Sequence, residues 1–273
     1  MKREVIGVDI GGTHLRTALV RNNKIIFYQK GFTPKTKNEL LEALYTDIDK
    51  LMTKNVVGIG IACPGPLKDG KILNTENIPL KNFDLKSAVK KRYPRLKVEI
   101  ENDAKCEALA ESKSGCKKKN FIIMTIGTGI GGGAVIDGKL YGRNTFATEF
   151  GHIVVDGGKY LEDLVGVKYQ HKISKQAFGK IYNISELMRL NNPRSRRIVD
   201  DFTNNLGQGI GGLINIFDPE IVILKGGISE AGKPLLDLIK KETKKYVFLP
   251  HVPDIIWTSL EHPGTLGASL LVE

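Results

Sequence analysis

The chain has 273 residues, more than one typical domain, and taking about 150 residues per domain favours two. With 41% hydrophobic and 26% charged residues, the composition is that of a globular chain, and no apolar run comes near the roughly 18 residues of a membrane helix. The net charge of +11 raises nucleic-acid binding, but the basic runs Lys90-Lys91-Arg92, Lys117-Lys118-Lys119, Arg194-Ser195-Arg196-Arg197 and Lys240-Lys241 lack interleaved aromatics and any recognisable binding motif, so a solvated surface that draws anions is expected, not a nucleic-acid partner.

In chain order, residues 5–10, 15–20 and 25–30 read as three short strands joined by a Gly-Gly turn and an Asn22-Asn23 turn. Because Met1-Lys2-Arg3-Glu4 leads straight into a strand, with no signal-peptide core, the sequence predicts a cytoplasmic protein. A helical pattern over 37–52 precedes an apolar strand at 56–63, which Pro64-Gly65-Pro66 ends. An irregular stretch to residue 82 follows, then a helix over 84–91, a strand over 97–101 and a helix from about Asp103. Strands at 121–125 and 132–136 flank a second glycine loop, with a turn at Asp137-Gly138. Two similar openings predict two similar domains that join near residues 114–120. Beyond them lie a long helix over 196–217, a strand at 221–224, a helix reaching about residue 246, a strand at 255–258 and a last helix from Thr265. Cys63, Cys106 and Cys116 are odd in number and form no CxxC pair, which predicts reduced, buried thiols.

Three constellations carry chemistry. In Asp9-Ile10-Gly11-Gly12-Thr13 an acidic residue at a strand end meets two glycines and a hydroxyl, a turn whose N–H groups can cradle phosphate oxygens. A strand follows it, which disfavours the Rossmann and Walker loops, since both open a helix. Gly127-Thr128-Gly129-Ile130-Gly131 repeats this logic in the second half, and Gly226-Gly227 after an apolar strand can flank a nucleotide base. Each has a plain alternative, a hairpin or a strand-to-helix turn. Asp103, directly after Asn102 at a strand-to-helix junction, also suits a helix cap.

Two such loops about 120 residues apart point to the two-domain fold shared by actin, the heat-shock ATPases and sugar kinases. The sequence resembles the ROK family of sugar kinases and sugar-responsive repressors. The resemblance rests on VDIGGTHLRTALV at 8–20, ACPGPLKDGKI at 62–72, TENIPLKNFDL at 75–85, ENDAKCEALAE at 101–111, IGTGIGGGAVIDGKLY at 126–141, EFGH at 149–152, YLE at 160–162 and LKGGIS at 224–229.

That resemblance implies an actin-like (ribonuclease H-like) ATPase fold of two α/β domains with a central cleft. Residues 1–117 plus 262–273 would form the smaller domain, with the first phosphate loop, and 118–261 the larger, with the second loop and the base site. It implies a kinase that uses ATP and Mg²⁺ to phosphorylate a hexose or N-acetylhexosamine at the 6-hydroxyl, with a glucokinase-like activity the first choice and Asp103 as the base. Gly65, Asn77, Asn102, Glu149, His152 and Glu162 match sugar-contacting positions. Asp9, Gly11, Gly12, Thr13, Gly127, Thr128, Gly129, Gly131, Gly226 and Gly227 match nucleotide-side positions, Asp9 holding Mg²⁺ through water. A homodimer or homotetramer is usual for the family. The family's Cys-rich zinc insertion is missing, for no cysteine occurs in 151–160, so structural zinc is not expected. The family's usual Lys after Gly-Gly-Thr is His14 here. The competing expectations are a sugar-responsive regulator, disfavoured because the first loop begins by residue 7, and a non-catalytic sugar-binding protein.

Overall fold

A computed structural model describes residues 3–75 and 77–273, and the backbone divides into two compact units. Unit 1 comprises residues 1–117, 139–147 and 259–273; unit 2 comprises 118–138 and 148–258.

Unit 1 opens with β1 (Glu4–Ile10), β2 (His14–Arg21) and β3 (Lys24–Phe32), an antiparallel meander. Asn22 and Asn23 both have left-handed φ (50° and 57°), the backbone of a tight hairpin whose twist matches that of the strands. Every residue of β1 is buried, as befits a central strand covered on both faces. Helix α1 (Lys37–Leu51) begins at Thr36, whose hydroxyl oxygen accepts from the Glu39 N–H, and lays Leu40, Leu44, Ile48 and Leu51 on the sheet side at helical spacing. Strand β4 (Val56–Cys63) returns parallel to β1.

Where an irregular stretch to residue 82 and then a helix from 84 were expected, three two-residue strands form a small antiparallel sheet: β5 (Leu67–Lys68), β6 (Lys71–Ile72) and β7 (Phe83–Asp84). Such strands are too short to imprint an alternation on the sequence. Helix α2 (Leu85–Arg92), capped by Asp84, leads to β8 (Lys97–Asn102), parallel to β4, and so completes the order β3-β2-β1-β4-β8. Helix α3 (Asp103–Ser114) follows without a loop.

In unit 2, β9 (Phe121–Ile126) and β10 (Ile130–Ile136) form the second hairpin. Strand β10 starts two residues earlier than the sequence pattern indicated, which places Gly131 inside the ladder opposite Thr125. The chain then returns to unit 1 for β11 (Lys139–Leu140) and the turn through residue 147. This segment was assigned to the second half from sequence. Its turn at 142–145 is tied to unit 1, where buried Lys105 donates to the Gly142 and Thr145 carbonyls (2.7 and 2.6 Å) and Arg143 donates to the Leu271 carbonyl (2.9 Å).

Unit 2 continues with α4 (Leu161–Val165), α5 (Val167–Phe178), α6 (Ile184–Leu190) and α7 (Pro193–Phe217). Helix α7 begins earlier than expected, at a capping box between Asn192 and Ser195 with proline in the first turn. Its buried stripe of Val199, Phe202, Leu206, Ile210, Leu213 and Ile214 helps form the core over β9 and β12 (Ile221–Lys225). Helix α8 (Gly232–Thr243) and β13 (Asp254–Trp257) complete the unit, with β9, β12 and β13 parallel.

Helix α9 (Pro263–Leu270) belongs to unit 1 and packs on α3, β1 and β4. The approach is close: a Cβ at Gly60 would lie 1.8 Å from the Ala268 carbonyl oxygen, so only glycine lets the helix seat on β4.

Candidate functional site

The parallel strands β1, β4 and β8 end side by side. Asp9 stands opposite Ala62, and Cys63 opposite Asn102, so Asp9, Cys63, Asn102 and Asp103 share the carboxyl edge of the unit 1 sheet. That edge is where open α/β sheets bind ligands. Burial, and then the charges of Asp103, Glu101 and Asp9, push the fully buried Cys63 thiol well above its usual range. A protonated, buried thiol is no nucleophile. The acidic side chains of Asp9 and Asp103 share this edge with the thiol.

Asp9 is buried, and its carboxylate accepts from Arg16 Nη1 at 3.0 Å. A Cβ at Gly264 would lie 2.8 Å from Asp9 Oδ2, so the first turn of α9 rests directly on this carboxylate, where a helix N-terminus favours negative charge. Neither Arg16 nor Gly264 was identified as a site residue from sequence. Arg16 lies in a strand motif whose alternation already explains its polarity, and Gly264 is about 250 residues away.

The first glycine loop is held from behind. Gly11 N–H donates to the His14 carbonyl (2.9 Å), Thr33 Oγ1 donates to the Gly11 carbonyl (2.6 Å), and Thr33 N–H donates to the Thr13 carbonyl (2.9 Å). A Cβ on Gly12 would come within 3.1 Å of Asn77 Cβ, so Gly12 and Asn77 abut. Gly65 has φ of +91° and faces the Asn74 carbonyl too closely for any side chain. His14 stacks on Phe32 with ring centroids 5.4 Å apart. Desolvation first, then Lys30 and Arg16, hold its pKa below the ordinary 6.5, so it is neutral at pH 7 and does not supply the cation of the lysine it replaces.

Asn102 Oδ1 accepts from the Ala104 and Lys105 N–H groups at 3.0 and 3.3 Å, which makes Asn102 the N-cap of α3 and places Asp103 in its first turn. Its neighbours in the ENDAK motif face inward. Glu101 accepts from the Asn102 and Asn144 N–H groups (2.9 and 2.7 Å), and Lys105 Nζ lies 3.7 Å from Glu101 Oε1.

In unit 2 the second loop sits at the carboxyl ends of β9 and β12. Gly127 N–H donates to the Gly129 carbonyl (2.9 Å), and Val167 N–H donates to the Gly127 carbonyl (2.9 Å). Gly226, with φ of +120°, lies against Ile126, so Gly226 and Gly227 border the same loop as Gly127, Thr128 and Gly129. Glu162, in the first turn of α4, accepts from the Ile130 N–H at 2.7 Å.

Glu149 and His152 bracket a short 3-10 turn, with His152 Nδ1 3.8 Å from Glu149 Oε2. The segment that follows His152 closes on itself. Val154 pairs with Tyr160, Val155 N–H donates to the Lys159 carbonyl (2.9 Å), Leu161 N–H donates to the Ile153 carbonyl (2.9 Å), and Gly157 and Gly158 turn the chain at positive φ. The Tyr160 ring meets the His152 ring edge-on at 5.3 Å. Backbone pairing and one aromatic contact therefore brace His152.

The ROK family model matches residues 5–273. The chain belongs to the ROK family. A glucokinase of Halalkalibacterium halodurans is 29% identical over 99% of this chain and 95% of its own length. The xylose repressor of Bacillus subtilis is also 29% identical, over 98% of this chain and 76% of its own length. Among solved structures, a ROK family glucokinase from Streptomyces griseus in complex with glucose and AMPPNP aligns with a TM-score of 0.85 at 28% identity, covering 98% of this chain and 99% of that one. The fold is thus the actin-like ATPase fold of ROK kinases, a mixed α/β architecture. The ROK motifs at 8–20 and 101–111 correspond to the converging ends of β1 and β8, and the motif at 126–141 to the second hairpin.

Proposed function

We propose that this ROK protein is a sugar kinase that transfers the γ-phosphoryl group of ATP to a hexose or N-acetylhexosamine, with glucose the first choice and the 6-hydroxyl the acceptor. The observation that carries this reading is the convergence of Asp9, Asn102 and Asp103 at one sheet edge beside the first glycine loop. Phosphoryl transfer asks for alignment, charge neutralisation and a proton acceptor, and these residues supply the chemistry of each.

In unit 1, Asp103 accepts the proton of the attacking hydroxyl, while Asn102, Gly65 and Asn77 orient the sugar. A positioned general base contributes about 10² to 10⁴ in rate. In unit 2, Glu149, His152 and Glu162 hold further sugar hydroxyls. Gly11, Gly12 and Thr13 present donors to phosphate oxygens, as do Gly127, Thr128, Gly129 and Gly131, while Gly226 and Gly227 flank the base.

Among the described residues no three His, Cys, Asp or Glu side chains gather as a metal cage. The donor set fits Mg²⁺ all the same, because that ion commonly keeps several waters and takes one or two carboxylates together with substrate phosphates. Asp9 would hold it through water, and the ion would supply neutralisation of phosphate charge. The S. griseus complex with glucose and AMPPNP supports both substrates.

The xylose repressor relatives favour a second reading, a sugar-responsive regulator. One assay separates the two. ADP release measured with glucose, fructose, mannose, N-acetylglucosamine and N-acetylmannosamine should show turnover with at least one sugar, and Asp103→Asn should lower kcat by about 10²-fold or more while sugar still binds. Folded protein that turns over none of these sugars with Mg-ATP, or an Asp103→Asn variant of unaltered turnover, defeats the kinase assignment.

A further inference from the structure

Glu162 was singled out as a sugar ligand, yet its carboxylate is already committed to a different element. Glu162 Oε2 accepts the Ile130 N–H at 2.7 Å, at the point where the second glycine loop enters β10. The loop is shaped around this oxygen. A Cβ at Gly129 would lie 2.2 Å from Glu162 Oε2, and one at Gly151 would lie 3.2 Å from the same oxygen and 2.6 Å from the Ile130 carbonyl. One carboxylate thus packs against both the loop and the residue directly before His152. The backbone strengthens the tie, for Gly166 N–H donates to the Glu162 carbonyl (2.9 Å), and Val167, one residue on, donates to the Gly127 carbonyl (2.9 Å). Loop and Glu162 are joined at both ends of α4.

We propose that Glu162 is a positioning residue for the second phosphate loop, and that it links the loop to the sugar-side segment of unit 2. The inference rests on the kinase reading for the identity of the two ligands, but the contact itself does not. A carboxylate that accepts from a backbone N–H makes a stronger hydrogen bond than a neutral acceptor does. It fixes the orientation of the Gly129-Ile130 peptide, and through it the donors that neighbouring loop residues offer to phosphate. A glycine loop otherwise has many conformations to lose when an anion binds, and a fixed one loses fewer. A sugar hydroxyl that engages the other carboxylate oxygen would hold Glu162 in the same rotamer. Sugar would then tighten nucleotide binding by ordering the loop in advance.

The test is nucleotide binding without sugar. A non-hydrolysable ATP analogue with Mg²⁺ is titrated calorimetrically into the wild type and into Glu162→Ala, Glu162→Asp and Glu162→Gln, with a thermal melt of each variant. Glu162→Ala removes the acceptor, and Glu162→Asp shortens the side chain by one methylene so that it falls short of Ile130; both should bind the analogue about tenfold more weakly. Glu162→Gln keeps an oxygen for the Ile130 N–H and should stay within about twofold of wild type. A residue that only grips sugar would leave all four affinities equal, and that result overturns the proposal. Should Glu162→Ala fail to fold, the Asp and Gln variants still decide between the outcomes. A wild type that binds the analogue but phosphorylates no sugar defeats the kinase reading and leaves this comparison standing; a wild type that binds no nucleotide defeats both.

Discussion

At the scale of single residues, Glu4 shows how charge is made safe inside unit 1. It is the first residue of β1 and only 1% exposed, yet its carboxylate accepts from both Arg21 Nε (3.0 Å) and Arg21 Nη2, and from Thr53 Oγ1 (2.5 Å). The Thr53 hydrogen bond above all, then that of Arg21, holds its pKa below the ordinary 4.5 against the opposing effect of burial. A carboxylate with a depressed folded pKa stabilises the fold above its unfolded pKa, and loses that contribution as pH falls through the folded value. Hydrogen bonds to a charged group are worth about 1.5–3 kcal/mol, so Glu4→Gln should lower unfolding free energy by roughly that amount at pH 7. The gap between wild type and variant in urea denaturation should narrow as pH drops from 7 to about 4, because the wild type alone loses charge at this position. A gap that stays constant over that range would show that Glu4 acts by shape and not by charge.

At the scale of elements, the joint between β8 and α3 carries two tasks on five consecutive residues. Asn102 caps α3 and Asp103 opens it, whereas Glu101 and Lys105, 1% and 2% exposed, tie the joint to the turn at 142–145. Removing one partner of a buried pair costs about 3–5 kcal/mol, since the other charge is left uncompensated. Lys105→Met should therefore lower the melting temperature by many degrees, while Lys113→Met, at the far end of α3, should change it little; equal melts would remove the joint from the stability account. The sequence made much of this architecture legible. The strands of the unit 1 sheet, α1 and the two glycine hairpins follow from alternation, helical spacing and turn residues. The tie between Lys105 and the turn could not be read, because a lone charged residue in a helix predicts exposure, and its partners are backbone carbonyls about 40 positions away. The small β5-β6-β7 sheet escaped for want of length, and the start of α7 because its capping Asn192 and Pro193 sit in a polar stretch with no apolar spacing. Glu162 was singled out from its motif, but its bond to Ile130 depends on a backbone approach that only the fold creates.

At the scale of the whole molecule, the charge of +11 must act on its ligands at a distance, whatever the contacts at the site. A strongly cationic protein draws in nucleotide phosphates and leaves a neutral sugar unaffected. Salt weakens this attraction, because the screening length falls from about 10 Å at 0.1 M to about 3 Å at 1 M. Raising ionic strength from about 0.05 to 0.5 M with Mg-ATP as donor should thus raise the KM for ATP several-fold and leave that for sugar nearly unchanged. The same charge could serve nucleic acid instead, and the two uses give opposite results in competition. If the basic surface is merely solvated, a short DNA duplex at low salt should bind weakly and without effect on the ATP KM. If it is a nucleic-acid surface, the duplex should bind with a steep salt dependence, each phosphate contact adding about 0.9 to the slope of log K against log salt. A steep slope together with an ATP KM insensitive to salt would assign the charge to nucleic acid and not to the phosphoryl donor.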